Sequence, residues 1–301
     1  MHQFTAAPCT TEAFYLGEGC RWDEVRAELS WVSVYDGRFL RARADGTSVE
    51  VVRRYDLGGH VTAVAPYAAR ADGWIVARDR ALWHLSEVGE LDRLGDVEAP
   101  EDAGVRTNDG AADPWGRFWI GTVAYDAAPG RGALYRFSVA RGLERVVAGV
   151  TISNGLGWSP DRRTMYFVDS GPATLCAFDV DGAGEISARR VLARTDAARE
   201  GAPDGLCVDA EGAIWVAQWG GRCVRRYAPS GEVIARVEVD TPHPSCCAIG
   251  GANGTTLYVT TAQEDLSAEV RAREPLAGRL FSADVGVPGL PVNPFRPAPA
   301  T

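Results

Sequence analysis

The chain has 301 residues, is 46% hydrophobic and carries a formal net charge of −9. All 31 of its basic residues are Arg, with no Lys and no basic run, which argues against a nucleic-acid backbone as partner. No stretch of 18 uncharged apolar residues is present, so no membrane span is expected.

The opening segment, MHQFTAAPCTTEAF, has no charged start leading into an apolar core, so no secretory signal is read there. Seven cysteines follow along the chain: Cys9, Cys20, Cys176, Cys207, Cys223, Cys246 and Cys247. None forms a CxxC pair. A disulfide framework or a zinc–thiolate site is therefore not expected, and a reducing cytoplasm is the expected location.

The first β-like run carries Trp31, with Glu18 upstream of it in LGEGCRWD. A second run carries Trp74, and its matching upstream position falls at Val61–Thr62. The third carries Trp119, preceded by Asn108 in RTNDGAADPWG. Residues 113–125, DPWGRFWIGTVAY, open with a turn and continue as a strand, and GALYRFSV (132–139) follows as another. In the fourth, Asn154 in ISNGLGWSPD precedes Tyr166, and residues 159–170 and 174–182 repeat the turn and strand pattern. In the fifth, Asp204 in APDGLCVDAEG precedes Trp215, with strands over 209–220 and 223–231. The sixth carries Tyr258, and its matching upstream position is Cys246. Only residues 262–274, AQEDLSAEVRARE, read as a helical turn or two. The Pro-rich tail from about 288 is expected to be loose.

The six anchors are separated by 43, 45, 47, 49 and 43 residues. A repeat of that length, built from three or four short strands closed by DG or SG turns, is the size of one propeller blade. The expected fold is an all-β, six-bladed propeller in a single domain over residues 1–301. A β-sandwich would also space its strands evenly, but it gives no reason for self-similarity at this period.

In such a ring, equivalent positions converge on the axis. Glu18, Asn108, Asn154 and Asp204 would then meet at one mouth, while Val61–Thr62 and Cys246 would leave one side open. Carboxylate and amide oxygens are hard ligands, suited to Ca²⁺, Mg²⁺ or Mn²⁺ and tolerant of Zn²⁺. Taken singly, Asn-Gly and Asp-Gly are ordinary turn dipeptides, so the case rests on their shared position.

The stretches GEGCRWD (17–23), RTNDGAADPWGRFWIGT (106–122), ISNGLGWSPD (152–161), PDGLCVDAEGAIWVA (203–217), SCCAIGG (245–251), LYVTTA (257–262) and AGRLF (277–281) together resemble the senescence marker protein/gluconolactonase family, or regucalcins. The resemblance implies a six-bladed propeller with one divalent cation (Ca, Zn, Mn or Mg) near the axis. It implies that Glu18, Asn154 and Asp204 bind the cation directly and that Arg106 and Asn108 contact the substrate. An acidic residue that contacts sugar in some members matches Asp126. The family usually has Pro where this chain has Cys20.

The implied activity is that of a lactonase in carbohydrate metabolism, opening sugar lactones to sugar acids. Asp204 is the candidate general base, because amides cannot take a proton from water. No GxSxG nucleophile elbow is present. His60 and His243 sit in loop contexts where they could line the mouth but read first as structural, and the Cys246–Cys247 pair reads as buried small hydrophobes. Trp219 is a candidate to stack on a sugar face. The expected partner is a small-molecule sugar lactone, with the protein a monomer or weak homodimer. Two rival functions remain: a non-enzymatic calcium-binding regulatory propeller, and a paraoxonase-like hydrolase of other esters or lactones.

Overall fold

The computed structural model describes residues 2–68, 73–97 and 104–297. Its strands form six separate sheets around an axis, the six-bladed propeller expected from the repeat. Each blade begins with an inner strand: Gly17–Asp23, Val61–Pro66, Val105–Ala112, Ser153–Trp158, Ala202–Val208 and Pro244–Gly250. The second strands are Glu28–Ser33, Gly73–Arg78, Phe118–Ala124, Thr164–Asp169, Ile214–Trp219 and Thr256–Thr261, each antiparallel to its inner strand. All six anchors, Trp31, Trp74, Trp119, Tyr166, Trp215 and Tyr258, lie on second strands.

The ring is closed by the N-terminus. Ala7–Pro8 pairs with Phe281–Asp284 and completes the sixth blade, while His2–Thr5 adds a parallel fifth strand to the outer edge of the fifth. A chain whose two ends share a sheet has no open seam between first and last blades.

The anchors are buried between blades. Trp119 packs with Leu134, Leu156, Met165 and Phe167 from two neighbouring blades. Full burial of a large apolar side chain contributes roughly 2–3 kcal/mol. The Asp that opens two of the repeat turns explains why those turns recur. Asp113 accepts from the backbone N–H of Trp115 and Arg117, and its other oxygen takes the Trp119 indole N–H at 2.8 Å. Asp209 does the same for Glu211, Ala213 and Trp215. One buried carboxylate thus ties each turn to its anchor.

The helical expectation over 262–274 narrows to Ala268–Arg273, capped by Ser267, whose side chain accepts from Val270 N–H. The short helix Ala197–Glu200 was not foreseen. The tail differs from expectation over its described part. Leu290 N–H donates to Val208 O, Phe295 N–H to Pro66 O and Arg296 N–H to Gly116 O, and Phe295 is fully buried. The apolar Phe295 ring, packed on Tyr67 and Phe137, outweighs the backbone freedom expected of a Pro-rich end. Among the described residues, no helix is long and apolar enough to cross a membrane.

Candidate functional site

Every inner strand carries an irregularity near its start. The register slips between Glu18 and Arg21, Val61 and Ala63, Thr107 and Gly110, Ser153 and Leu156, Pro203 and Leu206, and Pro244 and Cys246. A bulge re-aims a side chain and bends the strand. Repeated six times, it turns the first residues of all inner strands at one mouth of the channel. The glycines beside the candidate ligands permit close approach of the strands there. A Cβ on Gly155 would lie 2.7 Å from Asp204 O, and one on Gly205 would lie 2.6 Å from Cys246 Sγ.

Asn154 and Asp204 are each only 6% exposed. The Asn154 amide is oriented by its partners. Ser170 Oγ donates to Pro203 O at 2.6 Å, so it must accept from Asn154 Nδ2, at 2.8 Å. This leaves Asn154 Oδ1 as the inward acceptor, where Asn108 Nδ2 meets it at 2.8 Å. Asn108 Nδ2 also donates to Ser153 O, and its Oδ1 accepts from Arg106 Nη1 at 2.7 Å. The network therefore runs from the rim to the axis.

The carboxylates crowd one another. Burial, and then the charge of Asp109, raises Glu18 from its ordinary 4.5 to about 8. Burial raises Asp204 well above its ordinary value, with the charges of Glu18, Asp109 and Glu264 adding to it. Asp204 Oδ1 is buried without a hydrogen-bond partner. A partnerless carboxylate oxygen beside a second buried carboxylate is costly unless something positive compensates it. With the inward amide oxygen of Asn154, this donor set fits a hard divalent cation. No trio of His, Cys, Asp and Glu side chains gathers into a metal cluster among the described residues.

Arg21 closes the floor of the site. Its guanidinium donates to Cys20 O at 2.8 Å, to Gly110 O at 3.1 Å and to Asp109 Oδ1 at 3.4 Å. Beyond it, at the far end of the channel, a cavity of about 260 Å³ is lined by the ends of the inner strands and by residues 289–293 of the tail. Cys246 and Cys247 are fully buried, and burial pushes both thiols well up. They are inert packing groups, and all seven cysteines are free.

The structure brings Glu18, Arg106, Asn108, Asn154 and Asp204 together. It does not bring Asp126 into this network. Asp126 is 64% exposed and spends its oxygens on Ala128 N–H, at 3.1 Å, and on Arg131, at 3.6 Å. At the corresponding mouth of the other two blades, Thr62 Oγ1 is paired with Thr107 Oγ1 at 2.8 Å, and Ser245 Oγ donates to Gly17 O. Trp219 lies flat on the His243 ring, with centroids 4.3 Å apart, so one of its faces is already covered. Sequence reasoning missed Tyr35, Tyr125 and Glu264 at this mouth. Each stands in a connection between strands, where no periodic pattern marks it.

The family described as SMP-30/Gluconolactonase/LRE-like region matches residues 16–263, most of the ring. The chain belongs to this family. It is 36% identical to the L-arabinolactonase of Azospirillum brasilense over 94% of this chain and 93% of that protein. It is 34% identical to the 6-deoxy-6-sulfogluconolactonase of Pseudomonas putida, over 91% and 92% respectively. The crystal structure of a calcium-binding protein, regucalcin, from Agrobacterium tumefaciens superposes with a TM-score of 0.89 at 27% identity, covering 98% of this chain and 99% of that one.

The crowded carboxylates predict a pH effect. A carboxyl raised on folding binds more protons in the folded than in the unfolded state. The stability it allows is therefore present below about 4.5 and is lost as pH rises towards about 8. In chelator, the melting temperature should fall between about pH 5 and about pH 8, and saturating Ca²⁺ should shrink that fall. Thermal melts with and without the cation check this. Equal slopes in both would count against a cation site built on Glu18 and Asp204.

Proposed function

We propose that this protein is a metal-dependent lactonase that opens sugar lactones to the corresponding sugar acids. The observation that carries the reading is the buried Asp204, with its partnerless oxygen, beside the half-buried Glu18 at a mouth rimmed by Arg106. Family membership and the lactonase names of its relatives support it.

Glu18, Asn154 and Asp204 would hold the cation. When bound, a divalent cation supplies polarisation of the lactone carbonyl and stabilisation of the oxyanion. Asp204 takes a proton from the attacking water as the water oxygen bonds to the carbonyl carbon. The ring C–O bond then breaks, and the proton passes to the departing ring oxygen, giving a hydroxy acid. Arg106 is held towards the mouth by its bond to Asn108 and offers its remaining N–H donors to substrate oxygens. A rim of Arg, Asn and Tyr suits hydroxylated substrates better than aryl esters.

A purely calcium-binding role is the second reading, and it is supported by the calcium-binding protein among the structural neighbours. A pH-stat assay separates the two. Turnover of an aldonolactone, with phenyl acetate slower, is expected. Cation binding without turnover of any lactone would favour the second reading.

A further inference from the structure

Glu264 lies just past the second strand of the sixth blade, in the segment before the helix Ala268–Arg273. Its backbone is pinned: Glu264 N–H donates to Tyr15 O at 3.0 Å, and His243 Nδ1 donates to Glu264 O at 2.9 Å. Its carboxylate accepts one hydrogen bond, from the Tyr35 hydroxyl at 2.5 Å on Oε1. Burial raises the Glu264 carboxyl above its ordinary value, Arg106 and His60 lie close enough to oppose that rise, and its own charge is felt at both Glu18 and Asp204. The charge of Arg106 is also felt at the Tyr35 hydroxyl. Around them, Tyr35 packs edge-on against His60, with ring centroids 5.1 Å apart, and the Tyr125 hydroxyl is 3.3 Å from His60 Nδ1.

A carboxylate with acceptor capacity to spare thus stands near a guanidinium fork, on the solvent side of the cation site. Neighbouring hydroxyls need that pairing: one donates to a carboxylate while the next accepts from a guanidinium. The aromatic faces of Tyr35 and His60 suit the C–H side of the same molecule.

We propose that Glu264, held by Tyr35 and standing near Arg106, is the specificity-determining residue that selects lactones carrying at least two free hydroxyls on carbons away from the ring ester. The inference rests on the lactonase reading for its substrate, but its test needs no turnover. The role assigned to Glu264 is to hold hydroxyls away from the ring ester, so it sorts substrates rather than driving the chemistry.

Titration calorimetry in excess Ca²⁺ with D-gluconate and with 5-hydroxypentanoate tests it. Both carry a carboxylate for the cation, and only the first carries a polyol. The wild-type protein should hold gluconate more tightly. Glu264→Gln should weaken gluconate about tenfold, the scale of a lost charge-assisted hydrogen bond, and change 5-hydroxypentanoate less than about twofold. Tyr35→Phe should weaken gluconate selectively by a smaller factor, because the carboxylate remains but is less well held. Equal weakening of both acids would overturn the proposal, as would an unchanged gluconate affinity in Glu264→Gln or a wild-type protein that does not prefer gluconate. Failure of lactone hydrolysis alone would count against the enzymatic reading and leave this binding result to stand or fall separately.

Discussion

Asp204→Asn is expected to retain divalent-cation binding yet lose about 10²-fold or more in kcat for sugar-lactone hydrolysis. Asn preserves the size of the side chain and one inward oxygen. It removes a carboxylate that is buried beside the axis and left with a partnerless oxygen. The substitution also relieves repulsion with Glu18 and Asp109, both of which raise Asp204, so folding should not suffer. Steady-state kinetics at rising cation concentration decide the matter. A kcat that returns to near wild type at saturating cation would make Asp204 a ligand only, and the base would have to be sought elsewhere.

Glu18→Gln should give the opposite pattern. Glu18 Oε2 accepts from Gly19 N–H at 3.0 Å, which fixes the carboxylate at the strand entry. Its proposed role is to hold charge against the cation, not to move a proton. Affinity for the cation should fall about tenfold or more, as expected when a site loses one charged ligand. At saturating cation, kcat should recover to within a few-fold of wild type. Calorimetric titration of the cation, read beside kcat, checks both halves. A kcat that stays low at full occupancy would place Glu18 in the chemistry and remove the distinction drawn between the two carboxylates.

The ring was legible because its cause is local and repeated. Trp119 and Trp215 each need a strand to sit on and a turn Asp to take the indole N–H, and both are visible as spacing in the chain. The shared position of Glu18, Asn108, Asn154 and Asp204 at one mouth was readable from that spacing, whereas the narrower ligand set of Glu18, Asn154 and Asp204 came from the family resemblance. The bulges that aim them did not, since one extra residue in an inner strand leaves no mark on a 43–49 residue period. Glu264 was hidden for a different reason. Its place depends on Tyr15 and Tyr35, more than 200 positions away, through contacts that only the closed ring creates. The tail was misjudged because proline content speaks for the backbone, whereas Phe295 decides the docking through side-chain burial. Asp126 was carried over from a family pattern, and the turn that holds it, with Ala127 at a positive φ of 50°, points its oxygens to its own backbone and Arg131.

The claim that a cation held at the axis makes this propeller a sugar lactonase is tested most directly by one assay. The protein is stripped with chelator, refilled with Ca²⁺, Mn²⁺, Mg²⁺ or Zn²⁺ in turn, and assayed on an aldonolactone while circular dichroism follows the fold. The expected result is loss of turnover on stripping with the β signal intact, since the blades are held by sheet packing and the cation adds stability only by mass action, and recovery with at least one cation. Full turnover by the stripped protein would contradict the account, and so would an aldonolactone left intact whichever cation is supplied.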